Sequence, residues 1–203
     1  YANDVYPGCS KDGGSQGHGW FLCTNALGDL YYRNGMELQT LVNEKASEAT
    51  LDAKVGAAKL EAVAENVAKD FPQNAQTLKD LARDWRQKHL SHAEKLSATR
   101  QAARLMTTSG DGQLTRVKYH AEACDMHLSE QVCENSGDEI GAFDLTWSYG
   151  TMLSAWYYRG LALELGAKPV EFELPIVAEK LQSFECQAAC EGDDPTGTCC
   201  KGQ

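Results

Sequence analysis

Residues 42–71, VNEKASEATLDAKVGAAKLEAVAENVAKDF, place Val42, Ala46, Ala49, Ala53, Gly56, Leu60, Val63, Val67 and Phe71 at steps of four, three, four, three, four, three, four and four. Alternating steps of three and four keep side chains on one face of an α-helix. An unbroken helix is therefore predicted here, of the kind that shares a seam with one or two long partners. The middle of that seam is small, so bulky side chains from elsewhere in the chain are expected to fill the space beside Ala46, Ala49, Ala53 and Gly56.

Phe71-Pro72-Gln73-Asn74 stops this first arm, because proline lacks the N–H donor and disfavours helical geometry in the residue before it. A second arm carries Leu78, Leu81, Trp85, His89, His92, Leu96, Ala103 and Met106 at helical spacing. The stretch TTSGDGQ (107–113) interrupts it, and Leu114, Val117, Ala121, Cys124, Leu128 and Val132 resume it. The third arm follows ENSGD (134–138) and runs to about Cys190. It is kinked or broken at Pro169 and Pro175, and the alternation of Val170, Phe172 and Leu174 allows a short extended piece. Three arms of this length would each span about 75–90 Å if fully helical. The predicted fold is all-α, an elongated three-helix bundle forming one domain over residues 1–203. Residues 1–19 are an N-terminal loop, 20–190 the bundle and 191–203 a cysteine-containing tail, with irregular loops at the ends.

Eight cysteines fall beside the periodic segments, and an even count in that arrangement reads as disulfide staples. Folding the first two arms about residues 72–73 sets Cys23 opposite Cys124, so that pair is expected, with Cys9 to Cys133 at the same end and Cys186, Cys190, Cys199 and Cys200 joined among themselves. Zinc would need ligand spacing that is absent: there is no CxxC, and Cys186-x3-Cys190 beside Cys199 and Cys200 is an unusual set. His120, Cys124 and His127 share a helical face, but oxidation of Cys124 removes that ligand. His89 and His92 lack the Glu-x-x-His partner of di-iron bundles. No metal and no cofactor are expected.

The net charge is −10 without a basic run, which disfavours nucleic acid and anionic membrane surfaces. No apolar stretch reaches the length needed to span a bilayer. Oxidised cysteines imply secretion, so the numbering is expected to begin after processing or trimming, with any membrane anchor beyond Gln203. Gly13-Gly14-Ser15-Gln16-Gly17 matches G-x-S-x-G, but a polar loop precedes it where a nucleophile elbow needs a buried strand, so no catalytic residue is assigned.

In GDEIGAFDLTWSYGTMLSAWYYRG (137–160) large rings crowd one segment, and most are expected in the core, against the small seam. Trp156, Tyr157 and Tyr158 are consecutive and cannot all face inward; Tyr31 and Tyr32 pose the same problem. These five are the candidate binding residues, as exposed aromatic anchors for a protein partner.

Asp144-Leu145-Thr146-Trp147-Ser148-Tyr149 resembles a segment near the end of the catalytic domain of fungal glucoamylases, which build an (α/α)6 barrel from a much longer chain and set two carboxylates across a sugar pocket. The likeness covers six residues with none of that family's acid motifs beside it, and it is set aside as coincidence. Long helices with 25 alanines, terminal cysteines, an acidic character and no catalytic motif together resemble the surface proteins of African trypanosomes: invariant surface glycoproteins, the haptoglobin-haemoglobin receptor and the complement factor H receptor. That resemblance implies a monomeric, non-enzymatic receptor on the extracellular face of the cell. Its partner would be a host serum protein, a complement regulator such as factor H among them, in nutrient uptake or immune evasion. The alternatives are a structural surface-coat glycoprotein, or a hydrolase using the loop serine or bundle carboxylates.

Overall fold

The computed structural model describes residues 18–122, 124–133 and 137–170. The described chain is mostly helical, as expected, with a small sheet that was not. Its elements are β1 (Gly19–Trp20), α1 (Phe21–Asn43), α2 (Glu48–Lys54), α3 (Ala57–Val67), α4 (Pro72–Gln87), α5 (His92–Glu122), β2 (Gln131–Val132), β3 (Glu139–Ile140) and α6 (Thr146–Leu165). They fall into two compact units. The first takes residues up to Leu27 together with Gly112–Ala155, and the second takes Gly28–Asp111 together with Trp156 onward.

In the second unit the continuous seam predicted over 42–71 is divided between three helices. Ser47 caps α2 by accepting the Thr50 amide at 3.3 Å, and Gly56, at φ +20°, separates α2 from α3. A Cβ at Gly56 would lie 2.5 Å from the Asp52 carbonyl oxygen, so the glycine serves the chain break, not a partner helix. The buried face runs through Leu51, Val55, Leu60, Ala64, Val67 and Phe71, while Ala49 and Ala53 are exposed. Phe71-Pro72 does end the run, and Pro72 opens α4 from the first helical position, where a missing N–H costs nothing.

The second arm breaks elsewhere than expected. Lys88–Ser91 separate α4 from α5, and Ser91 with Glu94 forms a reciprocal cap: Ser91 N donates to Glu94 Oε2 at 2.8 Å and Glu94 N to Ser91 Oγ at 3.4 Å. TTSGDGQ is helical throughout. Thr107, Thr108 and Ser109 return their hydroxyls to the carbonyls of Ala103, Arg104 and Leu105, which satisfies buried polar side chains inside the helix. Gly110 is the point at which the Tyr32 ring meets the helix, and a Cβ there would sit 2.6 Å from the ring. The Tyr32 phenol donates to Asp111 at 2.7 Å, and Arg159 reaches the same carboxylate at 2.7 and 3.3 Å. Burial, reinforced by Asp111, pushes the Tyr32 phenol far above its ordinary value.

Helix α6 inverts the expected packing. It buries Ser148, Ala155 and Ala162 and leaves Trp147, Leu153, Trp156 and Tyr157 exposed, so its rings do not fill a small-residue seam.

In the first unit Phe21, Val117, Ala121 and Leu128 form the core, with Val132, Tyr149 and Met152 against them. The sheet is antiparallel in the order β1-β2-β3, pairing Trp20 with Gln131 and Gln131 with Ile140. Cys124 and Cys133 are disulfide-bonded, but Cys23 is a free, exposed thiol, so the Cys23–Cys124 staple is not made. Cys9, the last four cysteines, Ser15 and the PVEFELP piece beyond Val170 lie outside the described residues.

Candidate active site

Three carboxylates, Glu130, Glu139 and Asp144, gather on the stretch that leads from the end of α5 through β2 and β3 into α6, all within the first unit. The stretch Leu128–Ser129 is fixed on every backbone group. Leu145 N donates to Leu128 O at 3.0 Å, Leu128 N donates to the Tyr149 hydroxyl at 3.0 Å, Ser148 Oγ donates to Ser129 O at 2.9 Å, and Ser129 N donates to Glu139 Oε2 at 2.9 Å. Asn25 Nδ2 holds the Ser148 carbonyl at 3.2 Å from α1. Three of the residues of Asp144–Tyr149, Leu145, Ser148 and Tyr149, thus act as a clamp, and Trp147 packs its ring 6.2 Å from that of Trp20.

The three acids are in different states. Asp144 is already occupied: its Oδ1 accepts from the Tyr149 phenol and lies 2.8 Å from His127 Nδ1, and these hydrogen bonds, Tyr149 first, hold its carboxyl below the usual range. Burial, then the Asp144 carboxylate, pushes the Tyr149 phenol up. Glu139 is buried, and desolvation raises its carboxyl above the usual range even though Ser129 N–H partly offsets this. Glu130 differs from both. It is half-buried, and among the described residues its Oε2 accepts a hydrogen bond only from the Ala142 amide, at 3.5 Å. Gly141, at φ +84°, makes its seat: a Cβ there would lie 2.6 Å from Glu130 Oε2. The result is an accessible carboxylate directly after a backbone stretch whose four polar groups at Leu128 and Ser129 are all bonded, the kind of fixed placement that electrostatic preorganisation uses. Next to it Gln131 is fully buried, with neither amide atom hydrogen-bonded among the described residues, and buried polar groups are seldom left so.

The aromatic residues singled out from the sequence are not brought together as a surface. Tyr31 and Tyr32 are buried, Tyr31 edge-on to Phe71 at 6.4 Å. Trp156 and Tyr157 are each 61% exposed, and Tyr158 lies under the Arg33 guanidinium, 3.5 Å from its ring centre. Of the histidines, His92 Nε2 lies 2.8 Å from Ala46 O, His120 Nδ1 lies 3.0 Å from Gly137 O, and burial lowers the His120 ring below its ordinary value. Glu130, Glu139 and Gln131 were not flagged by any spacing pattern. The signal that pointed here was the hexapeptide Asp144–Tyr149.

The family model described as glycosyl hydrolases family 15 matches residues 1–157. A glucoamylase of Blastobotrys adeninivorans is 29% identical over 169 residues, which cover 78% of this chain and 21% of that protein. The chain thus spans about a fifth of the length of this curated relative. No solved structure matches. These findings overturn the receptor reading in each of its parts: the trypanosome surface-protein resemblance, the absence of catalysis, the host serum protein as partner and the role in immune evasion. Alanine-rich helices and an acidic charge are shared by unrelated helical folds and carry no chemistry. The six-residue likeness is the one the family match bears out, and three of its residues, Leu145, Ser148 and Tyr149, hold the Leu128–Ser129 backbone that leads into Glu130. With the match extending from the first residue through Tyr157, the chain belongs to glycosyl hydrolases family 15.

Proposed function

We propose that the chain serves glycoside hydrolysis of a starch-like glucan, with Glu130 as the anionic carboxylate at the scissile bond. Glycosidases of most families act through two carboxyl groups, one donating a proton to the leaving oxygen and the other, ionised, attacking the sugar or activating water. Glu130 suits the second role because its carboxylate is half-open, seated over Gly141 and free of a strong internal partner. That seat is the observation on which the reading rests. Asp144, whose Oδ1 is shared by Tyr149 and His127, and Glu139, buried against Ser129, are positioning residues. The proton-donating carboxyl is not assigned to the described residues. Trp147, with its ring nearly half exposed, offers a stacking face to a sugar ring. The substrate class follows from the relative's name, glucoamylase. The fold proposed is a portion of an α/α helical barrel in place of a stapled elongated bundle, and the oxidised state of Cys124 and Cys133 supports a secreted location.

The test is glucose release from maltooligosaccharides by the wild-type protein and by Glu130→Gln. Loss of the charge with the shape retained should lower kcat by about 10²–10⁴ with KM little changed. An unaltered kcat in a folded Glu130→Gln protein would remove Glu130 from the chemistry.

A further inference from the structure

The second unit contains a hollow of about 270 Å³ that the glycosidase reading leaves unused. Its walls are hydrocarbon: Leu38 and Leu41 from α1, Val55 after α2, Leu60 and Val63 from α3, and Met106 from α5. The hollow opens to solvent, and covering its apolar lining would remove that surface from water, which is favourable. A dry cavity of about 150 Å³ is enough to take benzene, so this one has room for a longer hydrocarbon. Its rim is charged, with Glu37, Lys54 and Lys59 around the opening. Lys54 Nζ lies 3.4 Å from Glu37 Oε1, so those two charges offset each other. Lys59 is exposed and forms no ion pair among the described residues, which leaves one net positive charge above an apolar interior.

We propose that this hollow binds a medium-chain aliphatic carboxylate, its hydrocarbon tail among Leu38, Leu60, Val63 and Met106 and its carboxylate at Lys59. Shape and charge each select. Burying the tail supplies most of the affinity, at about 0.8 kcal/mol per CH₂. The Lys59 ammonium sets the sign of the head group. The site is independent of Glu130, and its occupancy is read without any hydrolytic assay.

Calorimetric titration of the full chain with decanoate, decanol and decyltrimethylammonium, all kept monomeric, tests it. Decanoate should bind saturably at one site, more tightly than decanol, with the cation weakest. Lys59→Glu, a change on an exposed position that leaves the fold intact, should weaken decanoate about five- to tenfold and leave decanol unchanged. Val63→Trp, which fills the hollow, should abolish binding of all three. Absence of saturable decanoate binding overturns the proposal, as does decanoate affinity that is the same in Lys59→Glu or a preference for the cation. If Val63→Trp fails to fold, the Lys59→Glu comparison decides alone.

Discussion

The Tyr149 hydroxyl donates to Asp144 and accepts the Leu128 amide, so one phenol ties the start of α6 to the backbone two residues before Glu130. Tyr149→Phe removes both bonds at once and leaves the Leu128 N–H without an acceptor. The expected cost is about 1–3 kcal/mol in stability, since a donor stranded in a partly buried site loses its full hydration. If Glu130 acts in catalysis, kcat should also fall while KM changes little, because the clamp positions the carboxylate and does not hold the sugar. Denaturant melts beside steady-state kinetics check both.

Acid should cost the fold stability through Asp144. Its folded carboxyl titrates below its ordinary value of 3.8, so the stabilisation from its ionised form is complete above the unfolded value and is lost as pH falls through the folded one. Asp144→Asn should therefore lower the melting temperature at pH 6, and the deficit should shrink as pH falls below 3.8 through the folded carboxyl's titration. Parallel thermal melts across that range are the measurement, and a deficit that persists unchanged at low pH would contradict it.

Glu139 has the opposite sign. Its folded carboxyl is raised above 4.5 by burial, so the folded protein holds the proton more tightly than the unfolded chain. Stability is then greatest below the unfolded value and declines as pH rises through the folded one. Glu139→Gln keeps an acceptor for the Ser129 amide and removes the buried charge. The variant should be more stable than wild type at pH 7, and the gain should vanish near pH 4.

What could be read from the sequence was local chemistry with a single cause. Phe71-Pro72 marked a helix boundary because proline geometry allows little else, and it lies where expected. Ser91-x-x-Glu94 was equally readable as a cap and would have placed the second break correctly. TTSGDGQ was misjudged because Thr, Ser and Gly are loop formers by composition; only the approach of Tyr32 to Gly110 and the back-bonded hydroxyls explain a helix there. Helix α6 is apolar on all sides, so its period could not say that Ala155 and Ala162 face inward and Trp156 and Tyr157 outward. Glu130 carries no sequence signal of its own: its availability depends on Gly141 folding back from eleven residues downstream. The hexapeptide Asp144–Tyr149 is short, and nothing in its six letters shows that Leu145, Ser148 and Tyr149 bond to Leu128 and Ser129 some twenty residues upstream.

The thiols separate by state. Cys23 is exposed and free, whereas Cys124 and Cys133 are disulfide-bonded. Maleimide labelling of the native protein followed by peptide mapping should mark Cys23 and spare Cys124 and Cys133 until a reductant is added. Cys23→Ser should leave stability within about 0.5 kcal/mol, as for surface positions that carry no special contact. A mapped Cys23–Cys124 peptide would restore the staple inferred from the arm register.

Gly110 gives a prediction whose sign depends on its neighbour. Inside a helix, Gly→Ala ordinarily stabilises by about 1 kcal/mol because alanine has less backbone freedom to lose. Here the added Cβ would stand 2.6 Å from the Tyr32 ring, and that ring is fully buried and fastened to Asp111 through its hydroxyl. It has nowhere to move, so overpacking of about 1–3 kcal/mol should outweigh the propensity gain and Gly110→Ala should destabilise. Tyr32→Ala removes the obstruction at its own large cost from the lost ring. Adding Gly110→Ala to that background should then stabilise, since only the helix propensity remains. Urea melts of the two single variants and the double variant close the cycle, and additivity would mean that the ring does not set the requirement for glycine.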